Sequence, residues 1–226
     1  MQSNPPVDLD VFRENLLKYT RKAFRMLPKI EKPHILDIGC GSGLPTLELA
    51  RLSNGTIIGI DIDQSELDKL IAKISDAHLT ARIKAMNCSL HAMDFPEESF
   101  DIIWAEGSIS AIGFDECLVA WYRFIKPNRF LVVHDAAGDL VRKLRIIPEL
   151  NYHLIDHFVI SGETWWKEYY CPLQEHINSI REDMENDSSM RVFLDKQQLE
   201  IEQFNKNRAA NGSVFIVMQK KTNSAI

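Results

Sequence analysis

One stretch constrains this chain more than any other: Ile35-Leu-Asp-Ile-Gly39-Cys-Gly41-Ser-Gly43-Leu-Pro-Thr-Leu-Glu-Leu-Ala50. An apolar run of strand length enters three glycines at alternate positions. Residues 44–52 then follow at helical spacing, with Pro45 in the first turn, where a missing N–H costs nothing. Glycine accepts positive φ and lets backbone approach a ligand with no Cβ in the way. The segment therefore reads as a strand, a ligand-binding turn and a helix, with the site at the carboxyl ends of parallel strands. A dinucleotide fingerprint spaces its glycines G-x-G-x-x-G. Here the third glycine comes one residue early, and Leu44 stands where that pattern wants glycine. Asp37, just before the turn, suits a ligand bearing an ammonium better than one bearing a pyrophosphate. Cys40 fills the position between Gly39 and Gly41, with its backbone near the ligand.

The next strand, 56–60, runs into Asp61. An acid there can accept hydrogen bonds from both hydroxyls of a ribose, and Ile62 beside it can pack on a purine face. The pocket thus asks for a ribonucleoside with a cationic, amino-acid-like end. Strands at 34–38, 56–60, 81–87, 100–105 and 130–134 alternate with helices at 44–52, 65–75 and 115–125, with Ser65 as an N-cap. This rhythm predicts an α/β fold with a doubly wound, largely parallel sheet. Residues 1–7 read as a loose tail before a helix from Asp10 to about Met26. After residue 136 the rhythm changes: a helix at 138–144, a sixth strand at 153–160, helices at 163–181 and 192–208 joined by an acidic connection at 182–187, and a last strand at 214–219. The domain organisation expected is an N-terminal tail and cap helix over 1–32. A single catalytic domain over 33–226 follows, with a helical lid over about 163–209.

Composition narrows the function classes. The 226 residues are 45% hydrophobic and 26% charged, a globular balance. The net charge of −6 argues against a partner held by phosphate contacts, so nucleic acid is not expected. The four cysteines form no C-x-x-C pair and suit a reducing compartment. No apolar run is long enough for a membrane helix, and Met1–Pro6 is no signal peptide. A soluble cytoplasmic protein is expected. His153, His157 and His176 make no convincing metal set, and no metal is expected.

Four motifs in order, Asp37-x-Gly39-x-Gly41-x-Gly43, Gly59-Ile-Asp61, Phe95-Pro-Glu-Glu-Ser-Phe-Asp101 and the helix–strand segment 118–133 with Lys126-Pro127, resemble the class I S-adenosylmethionine-dependent methyltransferases. The likeness is strongest to small-molecule enzymes of the ubiquinone-biosynthesis type, and Trp104-Ala-Glu106-Gly107 and Trp165-Trp166-Lys-Glu-Tyr169-Tyr170 resemble prokaryotic members of unassigned substrate. The resemblance implies a seven-stranded, Rossmann-like sheet whose last strand is antiparallel, with the extra helices between strands six and seven. It implies S-adenosylmethionine as cofactor and S-adenosylhomocysteine as product. Asp37, Gly39 and Gly41 would surround the methionine part, Asp61 the ribose and Ile62 the adenine. Ser89 falls where many relatives carry an aspartate facing the adenine amino group, and Leu90 would offer its backbone N–H. Glu106 would lie near the transferable methyl.

From the residues alone, Asp135 at a strand's carboxyl end is a second candidate for catalysis. Tyr19 and Thr20 are placed to reach the cofactor if the first helix caps the pocket. Trp165, Trp166, Tyr169 and Tyr170 offer an apolar substrate wall, or else pack the added helices. His134, inside a strand, reads as a core histidine. Three competing functions remain on the sequence: a non-catalytic S-adenosylmethionine- or S-adenosylhomocysteine-binding module acting through a partner, a nucleic-acid methyltransferase and a nicotinamide-dependent dehydrogenase. Acceptor identity and oligomeric state are not legible.

Overall fold

The structure, a computed structural model, describes residues 7–181 and 188–222. The tail residues 1–6 and the acidic connection 182–187 lie outside the described residues. Seven strands form one sheet: β1 (His34–Ile38), β2 (Thr56–Asp61), β3 (Ile83–Asn87), β4 (Phe100–Glu106), β5 (Ile125–Ala136), β6 (Tyr152–Ile160) and β7 (Ser213–Lys220). Their spatial order is β3-β2-β1-β4-β5-β7-β6. The pairs among β1 to β5 are parallel, and β7 runs antiparallel to both β5 and β6. This is the doubly wound, seven-stranded arrangement expected, with its last strand antiparallel. The helices are α1 (Asp10–Arg13), α2 (Leu17–Arg25), α3 (Leu44–Leu52), α4 (Gln64–Asp76), α5 (Phe114–Tyr122), α6 (Leu140–Ile146), α7 (Gly162–Trp165), α8 (Cys171–Arg181) and α9 (Ser188–Lys206). The last three stand between β6 and β7.

Successive strand residues point to opposite faces, and here both faces are covered. Leu36, Ile103, Leu131 and Ile216 enter one core, under Trp121 and Phe124. Their neighbours Ile35, Ile102, Phe130 and Val217 enter the other, under Leu47, Leu67 and Leu70 of α3 and α4. That two-sided burial explains why the central strands are continuous apolar runs rather than alternating ones.

Several local expectations are corrected. Asp63, not Ser65, caps α4: its side chain accepts from the N–H groups of Ser65 and Glu66. β5 begins at Ile125 and passes through Pro127, because Asn128 takes a positive φ of 59° and the register with β4 shifts between Phe100 and Ile102. The helix expected over 163–181 is interrupted by a π turn at Trp166–Tyr170. The first helix is likewise interrupted, by a 3-10 turn at Glu14–Leu16.

A third, smaller core lies off the sheet. Val7 joins Tyr169, Leu173, Ile177, Met190, Leu194 and Ile201, with Phe12 and Leu16 packed against them. Val7 is therefore anchored, not part of a loose tail. The N-terminal segment and the inserted helices thus form one layer rather than two separate additions. Lys18 Nζ meets Glu168 Oε1 at 2.7 Å across that layer. A pair with one partner half exposed contributes about 0–1 kcal/mol. Burying one Leu or Ile contributes about 1.5–3 kcal/mol. Apolar contact therefore holds the layer together, and the ion pair sets its alignment.

The turn into α3 is closely packed. Gly43 has φ +84°, and a Cβ there would sit 2.2 Å from Leu70 Cδ1. Gly43→Ala must bear both left-handed strain and overpacking, about 2–4 kcal/mol together. Its melting temperature is expected to fall by roughly 5–15 °C, read by thermal unfolding at fixed pH; an unchanged value would show that α4 yields freely.

Candidate active site

The glycine loop is held by backbone and by one carboxylate. The Ile60 carbonyl accepts from the N–H groups of Gly39 at 2.8 Å and Cys40 at 3.0 Å. Asp61 Oδ2 accepts from Gly41 N–H at 2.8 Å, and its Oδ1 accepts from Asp63 N–H at 2.9 Å. Gly39 and Gly41 have φ of 71° and 50°. A Cβ on Gly41 would meet nothing within 4 Å, whereas one on Gly39 would strike Ser108. Gly41 is thus the loop residue whose backbone faces open space, with an acid beside it. The Cys40 side chain is buried and lies against Gly59, and burial pushes its thiol well above the usual range.

Two carboxyl groups lie beneath and beside the loop. Asp37, on β1, is fully buried and accepts from Thr46 Oγ1 at 2.5 Å. Burial pushes its carboxyl up to about 7, against the Thr46 hydrogen bond and with help from the charge of Asp61. Glu106 ends β4. Its Oε1 accepts from Trp104 Nε1 at 2.7 Å, and its Oε2 accepts from Thr20 Oγ1 at 3.3 Å. Burial pushes its carboxyl up to about 7 as well; the two hydrogen bonds oppose this, and the charge of Asp37 adds to it. Neither carboxylate has an ion-pair partner among the described residues.

A cavity of about 730 Å³ opens above these groups. It is lined by Gly39, Cys40, Gly41 and Glu106, by Tyr19 and Thr20 of α2, and by Trp165, Tyr169 and Tyr170. The π turn brings the consecutive residues Tyr169 and Tyr170 to the same cavity, and such turns recur at functional sites. Tyr19 is committed elsewhere at its tip: its hydroxyl donates to Glu168 Oε2 at 2.9 Å, and its pKa is pushed up to about 12 by burial and Glu168.

Other expected site residues stand apart from this cavity. Trp166 does not line it; the Arg208 guanidinium lies 4.0 Å from its ring centroid. Asp135 does not line it either; its Oδ2 meets buried Lys143 Nζ at 2.6 Å, because alternation on β5 turns it to the opposite face from His134. Asp61, Ile62, Ser89 and Leu90 lie beyond the glycine loop, at the ends of β2 and β3. Ile62 is 71% exposed there, an unusual placement for a large apolar side chain. The site therefore has two halves that meet at Gly41.

Sequence reasoning missed His134, which lines the cavity beside Glu106, its register partner across β4 and β5. Burial pulls its imidazole down to about 4, so it is neutral at physiological pH. The available signal was its place at the carboxyl end of a parallel strand. Glu168, which ties the inserted helices to α2, gave no signal, because its partners are distant in sequence.

The two raised carboxyls have a consequence for stability. The folded protein keeps these protons up to about pH 7, while the unfolded chain releases them near pH 4. Stability therefore falls as pH rises through that window. Asp37→Asn, which keeps an acceptor for Thr46, is expected to melt a few degrees above the parent at pH 8. The two should converge near pH 4–5. Equal destabilisation at every pH would contradict the assignment.

Comparison with known proteins gives the same outline. The model of a methyltransferase domain family matches residues 35–128. The 27-O-demethylrifamycin SV methyltransferase of Amycolatopsis mediterranei is 27% identical over 127 residues, 56% of this chain and 42% of that one. The chain spans between about a third and a half of the length of the curated relatives it matches. Among solved structures, a methyltransferase from Geobacter sulfurreducens in complex with S-adenosyl-L-homocysteine superposes with a TM-score of 0.74 at 14% identity, covering 98% of this chain and 94% of that one. The cyclase SpnF also superposes with a TM-score of 0.74, at 18% identity, over 98% of this chain and 86% of that one. Residues 35–128 thus match a methyltransferase domain family, and the sheet that contains them has the fold of these solved structures.

Proposed function

We propose that this protein transfers the methyl group of S-adenosylmethionine to a small-molecule acceptor held in the cavity. The observation that carries the reading is the pairing at Gly41: open space for a ligand backed by Asp61, with two buried carboxyls, Asp37 and Glu106, that have no cation of their own among the described residues. A ligand with a ribose, an ammonium and a sulfonium answers each feature. Asp61 would accept from the ribose hydroxyls, Ile62 would cover the adenine, and Ser89 and Leu90 would border it. Gly39, Cys40 and Gly41 would offer backbone to the methionine part, with Asp37 and Glu106 supplying negative charge.

When bound, S-adenosylmethionine supplies a methyl on positively charged sulfur, already activated for in-line displacement. The chain's part is then alignment and exclusion of water. Thr20 and Trp104 hold the Glu106 carboxyl in the cavity lining. With its pKa near 7 it can take up a proton released by the acceptor. Trp165, Tyr169 and Tyr170 form the apolar wall. The α1–α2 segment and α7–α9 act as the lid expected over the catalytic domain. The cavity volume of about 730 Å³ suits a small acceptor. The net charge of −6 disfavours a nucleic-acid one. No helix among the described residues is long and apolar enough to cross a membrane, and a cytoplasmic setting accords with four free cysteines.

A second reading has one observation in its favour. A cyclase shares this fold, so the fold can serve chemistry other than methyl transfer. Titration calorimetry and transfer of labelled methyl separate the two. Binding of S-adenosylmethionine and S-adenosylhomocysteine, without NAD, together with labelled product from an acceptor screen, is the expected result; cofactor binding with no labelled product from any acceptor favours the second. Asp61→Ala is expected to weaken S-adenosylhomocysteine binding about 100-fold or more, since two hydrogen bonds to a charged group are lost, and near-parental affinity would remove the ribose assignment. Glu106→Gln should bind cofactor but turn over more slowly.

A further inference from the structure

Where β5 and β7 line the cavity, they carry an ordered chain of polar groups that the reading above does not use. Trp165 Nε1 lies 2.8 Å from Ser213 Oγ, and the same oxygen lies 2.7 Å from His134 Nε2. Ser213 is 8% exposed. An indole N–H only donates, so the serine oxygen accepts from Trp165. The buried hydroxyl needs an acceptor for its own hydrogen, and His134 Nε2 is the one in reach. That leaves the imidazole proton on Nδ1. The ring is fixed by stacking too: its plane is within 9° of Phe215 at 4.3 Å and within 7° of Trp165 at 6.0 Å. His134 lines the cavity with its Nε2 edge turned to Ser213, and Nδ1 has no hydrogen-bond partner among the described residues.

We propose that His134 is an acceptor-binding residue: the Trp165–Ser213 relay fixes it as the Nδ1–H tautomer, which donates to an oxygen of the methyl acceptor. The acceptor class is accordingly an oxygen-bearing compound, hydroxylated or carbonyl-containing, seated against the aromatic wall. His134 then orients the acceptor and takes no proton from it. Burial keeps the ring uncharged, against the pull of Asp135, so the donor stays neutral beside Glu106. The proposal rests on the methyl-transfer reading for its substrate, but not for its tautomer.

The test is long-range nitrogen–proton NMR of the full-length 15N-labelled protein, with S-adenosylhomocysteine added and phenol as the probe. The His134 signals are assigned by their absence in His134→Asn. The expected result is a protonated Nδ1 and an unprotonated Nε2 that do not titrate between about pH 5.5 and 8, away from the ordinary value near 6.5. Phenol should shift the Nδ1–H signal, toluene should not, and phenol affinity should drop about fivefold in Ser213→Ala, the worth of one neutral hydrogen bond. Should Ser213→Ala misfold, Trp165→Phe tests the same relay from its other end. A proton on Nε2, titration near the ordinary value, or an Nδ1–H signal that phenol leaves in place would overturn the proposal. Calorimetry with S-adenosylhomocysteine is scored separately: its failure counts against the methyl-transfer reading, while normal binding with the wrong tautomer counts against His134 alone.

Discussion

A single carbonyl organises the site. The Ile60 oxygen, at the end of β2, accepts from two consecutive amides of the glycine loop, those of Gly39 and Cys40. This draws the loop across the top of β2 and turns the chain into α3. It also places Asp61, the next residue, where its carboxylate can hold the amide of Gly41. The three positive-φ glycines make the turn possible, but the strand pairing decides where it points. Because β1 and β2 are in parallel register from His34 and Thr56 onward, their ends finish level, and the loop has one place to lie.

The site departs from what stability alone would favour. A buried carboxyl without a cation costs free energy unless it keeps its proton, and this protein keeps two such groups near the glycine loop, Glu106 lining the cavity and Asp37 buried beneath the loop. Thr46, Thr20 and Trp104 give them hydrogen bonds but no charge. Local destabilisation at a pocket that a cationic ligand relieves is a common feature of binding sites. The aromatic side is arranged differently. There Trp165 Nε1, Ser213 Oγ and His134 Nε2 satisfy one another, and the His134 ring is stacked against Trp165 and Phe215.

The roof over the cavity is assembled from segments far apart in the chain. Val7, Phe12 and Leu16 meet Leu173, Ile177, Leu194 and Ile201 in a core of its own. Polar contacts across it converge on Glu168, which pairs with Lys18 and accepts from the Tyr19 hydroxyl. Apolar area supplies its strength. Such a layer is packed on the sheet but has a core separate from the two that flank it.

How much of this was legible in the sequence follows from the range of each interaction. The sheet, the turn of Gly39, Gly41 and Gly43 and the acid at Asp61 were legible, because apolar runs, glycine spacing and strand-end position are local signals, whereas the antiparallel last strand was implied only by the family resemblance. Helix ends were less so: Asp63 replaced Ser65 as a cap because two side chains competed for the same amides. Asp135 and His134 are neighbours in sequence and were weighed the wrong way round for the cavity. β alternation sends one to Lys143 and the other to Ser213, and only the tertiary structure says which face is the site. Trp166 and the Tyr169–Tyr170 pair were separated by a π turn that no spacing announces. The sequence by itself determined the fold and the glycine-loop half of the site, since both rest on short-range backbone chemistry. Tertiary structure alone decided the walls of the cavity, because they come from α2, β5, α7 and β7, brought together only when the sheet closes and the roof packs.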